Sequence, residues 1–219
     1  MSSVSTERRA PLDRAKVADT ALRLLNETGL DGLTLRGIAR ELEVKAPALY
    51  WHFKDKQALL DEMATQMQRR MAADAALDPA DTWQERLTKV NRGLRAALLG
   101  YRDGAKVYSG SRFTGTDHAP ALEAHLRLLT QAGFALAQAV DAARTANAYT
   151  IGFVTEEQGV RPLPGERREG FDVEDRARRL ADFPLAAAAG ELLFDDYDRQ
   201  FDEGLAVVIA GIGARYRVG

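Results

Sequence analysis

The chain has 219 residues, a formal net charge of −2 and no cysteine. This length allows one or two domains with a substantial buried core, and the lack of cysteine excludes disulfides and thiolate metal sites. No apolar run approaches the roughly 18–20 residues of a membrane-spanning helix, and the polar N-terminus does not have the pattern of a signal peptide. Abundant alanine and leucine with few strand signals predict an all-α, cytoplasmic protein.

The N-terminal segment, residues 1–11, is polar and is predicted to be a disordered arm. Its Arg8 and Arg9 suit either a contact with the backbone of DNA or a plain flexible tail. A first helix is predicted from about Asp13, and Gly29 is a favourable C-cap for it. Its apolar stripe consists of Val17, Ala21, Leu22, Leu24 and Leu25.

Two short helices joined by a tight turn follow. Thr34 is a good N-cap for the first of them, whose apolar residues recur at spacings of three and four. The second opens near Lys45 and has Pro47 in its first turn, where a missing N–H does no harm. Small, aromatic and basic groups at the start of a short helix suit the major groove of DNA. An ordinary helical hairpin has the same local pattern, so this pair alone leaves both interpretations open.

The wider stretch LDRAKVADTALRLLNETGLDGLTLRGIARELEVKAPALYWHFKDKQALLDEM resembles the N-terminal domain of the tetracycline-repressor (TetR) family of transcriptional regulators. The segments NETGLDGLT, IARELEV and ALYWHFKDKQALL carry the resemblance. It implies a three-helix helix-turn-helix DNA-binding domain at residues 12–57 and a connecting helix at 58–74. A larger helical ligand-binding and dimerisation domain would then occupy residues 75–219.

The resemblance also implies which residues contact DNA. The residues that would contact bases are Arg36, Lys45, Ala46, Pro47 and Ala48. The residues that would contact phosphates are Thr34, Tyr50, His52 and Lys56. Arginine pairs best with guanine, whereas alanine offers only apolar contact with a thymine methyl group. Tetracycline repressors have longer polar side chains where this chain has Ala46 and Ala48. We therefore expect a different operator, and for Tyr50 packing within the fold is the alternative role.

Helical segments separated by glycine, proline and polar stretches continue to the end of the chain. The helix after the reading pair should begin near Asp55 and bury Leu59, Leu60, Met63, Met67 and Met71 along one side. Residues 75–81 are predicted to form a loop, and Asp81 or Thr82 can cap the next helix. The remaining helices are predicted at about 83–99, 103–110, 118–132, 135–158, 173–181, 184–194 and 197–215, with a mobile loop at 160–172.

The last two helices have the composition of an interface. The sequences LAAAAGELLF and LAVVIAGIGA are small or apolar almost all round, so they must be buried against something. A homodimer with a four-helix interface satisfies this need, and a wholly internal terminal helix is the alternative. A two-fold pair of heads would read two half-sites of a palindromic operator.

Three further segments, LLGYRDGAKVYSGSR, LRLLTQAGF and IGFVTEEQ, resemble the tetracycline-repressor subgroup itself. The resemblance implies a ligand cavity among the helices of the second domain. The histidine that coordinates drug-bound magnesium corresponds to Tyr108, which is a poor ligand because a neutral phenol stays protonated near pH 7. The other drug-contacting positions correspond to Ala72, Val90, Leu94, His125 and Glu156, and of these only Glu156 keeps the family's residue type.

We therefore predict a small effector other than tetracycline, aromatic or polyketide-like, bound without a metal or another cofactor. Its apolar contacts would be Trp83, Leu87, Val90, Leu94, Phe113 and Phe134, and its polar contacts Tyr108, His125, Asn147 and Glu156. His125 and Glu156 are equally compatible with ordinary positions on a helix surface.

The predicted function is a repressor that a small molecule releases from its operator and that controls an exporter or resistance gene. A ligand-independent regulator or an activator of the same fold is the alternative. An enzyme is disfavoured: the chain has only three histidines and no glycine-rich phosphate loop. The adjacent Glu156 and Glu157 would point about 100° apart on a helix, so they would not flank one substrate.

Overall fold

A computed structural model describes residues 12–74 and 77–218, and in this part of the chain all regular structure is helical. The helices are α1 Arg14–Gly32, α2 Leu35–Glu41, α3 Ala46–Tyr50, α4 Lys56–Asp74, α5 Trp83–Leu99, α6 Gly104–Tyr108, α7 Ala119–Gln131, α8 Leu136–Val160, α9 Val173–Arg179, α10 Pro184–Phe194 and α11 Tyr197–Tyr216. The all-α prediction is confirmed. The predicted N-terminal arm lies outside the described residues.

The head, formed by α1 to α3, begins and ends its helices where the sequence indicates. The Asp13 carboxylate accepts a hydrogen bond from the backbone N–H of Lys16 at 2.7 Å. Gly29 adopts a φ of +67°, which interrupts the helical path of α1 in a conformation that favours glycine. Thr34 caps α2 by accepting from the backbone N–H of Gly37 at 3.1 Å. These local signals set where α1 and α2 begin.

Helix α4 joins the head to the rest of the molecule, here called the body. From Glu62 to Met67 every residue of α4 is buried, because α1 packs on one side and α5 and α6 pack on the other. The core of the head therefore continues through Met63 into Leu98 and Val107 of the body. The domain limits at residues 57 and 74 do not coincide with a gap in this packing, and they stay a prediction.

The head is also tied to the body by polar contacts at the end of α1. The backbone N–H of Leu30 donates to the Asp103 carboxylate at 3.0 Å, and the backbone N–H of Arg102 donates to the side chain of Asn26 at 2.9 Å. These hydrogen bonds add directional contacts to the apolar packing between the head and the body.

The body has its own hydrophobic core among α5, α7, α8 and α11. Thr82 caps α5, and the Glu85 carboxylate accepts a hydrogen bond from the backbone N–H of Thr82 at 2.8 Å, which completes a capping box. On α11, Phe201 and Leu205 are buried against α8. Among the described helices, none is long and apolar enough to cross a membrane.

Helix α10 buries almost nothing against its own chain, since Gly190 is its only buried residue. Large apolar side chains of this region stay exposed: Phe183, Leu185, Leu192, Leu193 and, on α11, Val207. The opposite side of α11 is buried within the body, so the terminal helix is neither wholly internal nor wholly free. This arrangement leaves the apolar surface that the sequence predicts for a subunit interface.

Candidate DNA-reading helix and ligand cavity

Helix α3 is held to the head from one side and presents the other side to solvent. Leu49 is fully buried and anchors the helix, with the buried Phe53 just beyond its end. Lys45 and Pro47 at its start are exposed, whereas Ala46 and Ala48 are half-buried. The small alanine side chains let the backbone of α3 approach a neighbouring molecule closely, as readout in a DNA groove requires.

Among the residues predicted to contact phosphate, Tyr50 is a large exposed side chain. The residue is 55% exposed, which opposes the packing alternative for this side chain. His52 is half-buried, and its carbonyl oxygen accepts a hydrogen bond from the Arg14 guanidinium. Thr34 is exposed but its hydroxyl already caps α2.

Lys56 has a partner within the chain that the sequence pattern did not indicate. Its ammonium group donates to the carbonyl oxygen of Leu30 at 2.9 Å. A phosphate contact from Lys56 must therefore share or replace this bond. Arg36 on α2, in contrast, is exposed beside the reading helix.

Sequence reasoning overlooked Trp51. Its indole is 90% exposed directly after α3, next to Tyr50. Together with Tyr50 it forms an exposed aromatic pair at the end of α3. The signal was present in the Tyr-Trp-His triplet, whose tryptophan falls outside the apolar stripe of the helix.

The body contains a cavity of about 900 Å³ between α4, α5, α6, α7 and α8. A cavity of this size is typical of small-molecule sites. Six of the predicted ligand contacts line it: Val90, Leu94, Tyr108, Phe113, His125 and Asn147.

Four predicted ligand contacts lie elsewhere. Trp83 and Phe134 pack edge to face with ring centroids 5.2 Å apart, and Gly213 of α11 covers the indole. Leu87 is fully buried in the same cluster. These three residues belong to the core because α11 lies over the start of α5 and the end of α7, which sequence periodicity does not reveal. Glu156 is exposed on α8 and does not reach this cavity.

Other parts of the cavity wall were not predicted as ligand contacts. They include Met67, Gln68, Met71, Tyr101, His118 and Leu122. The methionines appeared in the sequence as a core stripe of α4, and the structure shows that the end of this stripe borders empty space. Flexible methionine side chains adapt to ligands of different shape.

His125 is the most unusual polar group of the cavity. Its side chain is 8% exposed, and its Nδ1 atom has no hydrogen-bond partner among the described residues. Burial, assisted by the charge of Arg86, lowers the pKa of the imidazole to about 4. His125 is therefore neutral near pH 7. Its burial also excludes the alternative that His125 is an ordinary histidine on a helix surface. The imidazole therefore lines the cavity as a neutral ring, while its Nδ1 atom is enclosed by protein.

Tyr108 occupies the wall at the end of α6. Its hydroxyl donates to Gln68 Oε1 at 2.9 Å, and burial raises the pKa of the phenol to about 12. The phenol is neutral near pH 7, so it offers a divalent cation only a weak ligand. Phe113 and His118 extend the aromatic wall, with successive ring centroids 5.7 and 5.3 Å apart. Among the described residues, no three His, Asp or Glu side chains converge on a point where they could hold a metal ion.

Three basic residues at the edge of the cavity are paired with carboxylates. Arg92 forms a two-point ion pair with Asp202 at 2.8 and 2.9 Å. Arg70 pairs with Asp19 at 2.7 Å, and Lys89 pairs with Asp81. The cavity thus combines an apolar wall with a few neutral polar groups.

A helix-turn-helix head that is joined by one long helix to a cavity-bearing helical body defines a DNA-binding regulator with a small-molecule site. Two family models match the chain: "Bacterial regulatory proteins, tetR family" over residues 17–63 and "Tetracyclin repressor-like, C-terminal domain" over residues 75–216. The chain therefore belongs to the TetR family of transcriptional repressors, whose members bind operator DNA as dimers through a helix-turn-helix domain and bind ligands through the C-terminal domain.

Individual relatives agree with this assignment. The chain is 41% identical over 201 residues to the tetracycline repressor protein class A from transposon 1721 of Escherichia coli, covering 91% of this chain and 89% of that protein. A TetR variant from Acinetobacter baumannii AYE, solved in complex with minocycline, is 34% identical, with a TM-score of 0.72 over 94% of this chain and 99% of that one. BioQ, solved with its double-stranded DNA operator, is 29% identical, with a TM-score of 0.61 over 93% and 99%. These relatives are regulators, which is consistent with a chain that is not an enzyme.

Proposed function

We propose that the chain is a repressor that leaves a palindromic operator when an aromatic effector other than tetracycline fills the body cavity without a metal. The single observation that carries the effector half is the cavity itself, whose mostly apolar wall includes the neutral side chains of His125 and Tyr108. Residues 12–57 would form the DNA-binding domain, 58–74 the connecting helix and 75–219 the ligand-binding and dimerisation domain.

In this proposal the head reads DNA through α3 and the start of α2. Arg36 and Lys45, both exposed, would contact bases, with Ala46, Pro47 and Ala48 packing near thymine methyl groups. Tyr50, His52, Lys56 and Thr34 would hold phosphates, and we add the exposed ring of Trp51 to the contact surface. The operator-bound structure of BioQ supports a head of this type as the DNA-binding part.

The effector should carry a fused or extended aromatic system and at least one hydroxyl group. Its rings would pack on Val90, Leu94 and Phe113, and its hydroxyl would meet the hydroxyl of Tyr108 or the amide of Asn147. Tyr108 supports a metal-free complex, because a buried neutral phenol stands where a tetracycline–magnesium complex needs a stronger ligand. The kinship with tetracycline repressors favours tetracycline itself as the second candidate effector.

Release would follow from a change in the separation of the two heads. A dimer that binds DNA holds its reading helices about one helical turn apart, roughly 34–36 Å. An effector that binds one arrangement of the dimer more tightly by a few kcal/mol is sufficient to shift the population. The controlled gene would then encode an exporter or a resistance enzyme for the same compound.

Gel shifts test the DNA half of the proposal, using duplexes that cover the DNA next to the gene for this chain. Arg36→Ala should weaken operator binding by about 1–3 kcal/mol and relax base preference at one position of each half-site. Arg127→Ala removes the same charge from the exposed face of α7 and serves as the matched control. Equal losses in the two variants would indicate nonspecific electrostatics and would contradict the assigned readout.

Titrations test the effector half. Tetracycline should release the operator poorly, with or without Mg²⁺, whereas one or more members of a panel of hydroxylated polyaromatic compounds should release it in the presence of EDTA. Asn147→Leu should weaken that response, and Asn147→Gln, which keeps the amide, should retain more of it. A magnesium-dependent response to submicromolar tetracycline would refute the proposed effector class and leave the repressor assignment intact.

A further inference from the structure

The carboxylate of Glu62 on α4 connects three parts of the molecule while it is only 4% exposed. Its Oε2 atom accepts hydrogen bonds from Arg14 Nε at 2.9 Å and from the hydroxyl of Thr114 at 2.8 Å. Its Oε1 atom accepts from Arg69 NH1 at 3.3 Å. One oxygen is thus shared between α1 of the head and the loop that follows α6 of the body.

On the head, Arg14 continues the connection to the reading helix. A second nitrogen of its guanidinium donates to the carbonyl oxygen of His52, just after α3. The guanidinium also lies 4.5 Å from the centre of the buried Phe53 ring. A displacement of Arg14 therefore acts on the end of α3 through a hydrogen bond and a packed ring.

On the body, Thr114 directly follows a residue of the cavity wall. This neighbour, Phe113, lines the cavity, and the backbone N–H of Thr114 donates to the buried Thr65 hydroxyl of α4 at 2.8 Å. A ligand that displaces the backbone at Phe113 therefore also displaces Thr114. The loop can then keep its bonds to α4 only if α4 or Glu62 moves.

We propose that Glu62 is the positioning residue that couples the loop behind Phe113 to the reading helix. A buried carboxylate that loses one donor must rearrange toward its remaining donors, because an unpaired buried charge is costly. When Thr114 withdraws, Glu62 turns toward Arg14 and Arg69, and Arg14 changes the position of the end of α3. This inference rests on the proposed function, since it assigns the route by which an occupied cavity reaches the head.

A mutant cycle tests the coupling without any effector. Thr114→Val removes the hydroxyl and keeps the shape, and Glu62→Leu removes the acceptor. Arg14 and Arg69 have side chains 40% and 35% exposed, so water can solvate them in the Leu variant. Glu62→Gln keeps a neutral acceptor and provides a second background if the Leu variant is too unstable. Thr116→Val, on an exposed residue of the same loop, is the matched control, and Thr114→Ser restores the hydroxyl.

The first readout is affinity for a duplex that the wild-type protein selects from a random-sequence library. Thr114→Val should change this affinity by about fivefold or more, and the same substitution should have no effect in the Glu62→Leu background. The Gln background should give an intermediate effect, and Thr116→Val and Thr114→Ser should match the wild type. A purely structural role would change the melting temperature of the variants and leave affinity for DNA unchanged. Equal effects of Thr114→Val in all backgrounds would also overturn the proposal.

The second readout does not need DNA. The chain has no cysteine, so Lys54→Cys, on an exposed residue after α3, accepts a single nitroxide label on each head. The distance between the two labels of the dimer should shift with Thr114→Val in the Glu62 background and stay constant in the Leu background. A constant distance in both would reject the role of Glu62. If the wild type selects no duplex, the proposed function fails, while the label distances still decide the coupling.

Discussion

Thr150 of α8 and Asn91 of α5 form a hydrogen bond in the interior of the body, from hydroxyl to amide oxygen, at 2.8 Å. Both side chains are 0% exposed. The amide nitrogen of Asn91 in turn donates to the carbonyl oxygen of Leu87 at 2.9 Å. The two long helices beside the cavity are therefore joined by a satisfied polar pair within apolar surroundings.

Breaking this pair from one side should be destabilising. Thr150→Val leaves the Asn91 oxygen buried without its donor, which should lower the free energy of unfolding by about 1–3 kcal/mol. Urea denaturation at a fixed protomer concentration measures the change. Thr145→Val is the control, since its hydroxyl is exposed on the same helix. Adding Asn91→Leu to Thr150→Val should cost less than the sum of the single changes; strict additivity would mean that the pair does not interact.

Acid should destabilise the protein partly through His125. The folded pKa of this imidazole is lowered to about 4, whereas the unfolded chain binds the proton near pH 6.5. Between these values the unfolded state holds more protons, so the free energy of unfolding falls as the pH decreases from 6.5 toward 4. At pH 4.5 the loss from this residue should be about 2–3 kcal/mol relative to pH 7.

Urea denaturation at pH 7 and pH 4.5 isolates this contribution when the wild type is compared with His125→Gln. The variant should lose less stability on acidification by about the amount given, because glutamine does not titrate. The carboxylates that titrate in the same range are common to both proteins and cancel in the difference. An identical pH dependence of wild type and variant would mean that His125 is not buried in its neutral form.

Gly104 at the start of α6 marks a close approach of two backbones. A Cβ atom on this residue would lie 2.1 Å from the carbonyl oxygen of Leu98, which belongs to α5. Gly104→Ala should therefore displace α6 and cost more than about 2 kcal/mol of stability. Gly93→Ala is the matched change, since nothing lies within 4 Å of its Cβ position. That variant should gain about 0.5–1 kcal/mol from helix propensity, and thermal unfolding would reveal whether the two changes differ in sign.

The exposed apolar face of α10 and α11 should be required for the dimer. Leu192→Glu or Val207→Glu would place a charge in the middle of a subunit interface, where desolvation is costly. We expect sedimentation velocity to show monomers for both variants at micromolar concentration, with loss of operator binding. Ala80→Glu adds the same charge to the exposed loop before α5 and should leave the dimer intact. Dimers that persist in both interface variants would place the subunit contact elsewhere.

The sequence by itself determined the helices and the reading head, because their signals are local. A capping side chain at Thr34, a proline in the first turn of α3 and an apolar period in α1 act within a few residues, and the structure confirms each of them. The family segments around Tyr50 extended this local information to DNA as the partner only through resemblance. Trp51 was overlooked because the resemblance assigned it no contact, although its place outside the apolar stripe indicated exposure.

Only the tertiary structure decided which apolar residues of the body face a core and which face a cavity. Trp83 and Val90 lie on the same buried side of α5 in the sequence pattern, yet α11 covers the first and empty space borders the second. The carboxylate of Glu62 binds Arg14 and Thr114, which lie 48 and 52 positions away from it in the chain. Helical periodicity specifies that a face is covered, but the covering element depends on how distant helices pack, and that information is not contained in any short stretch of the chain.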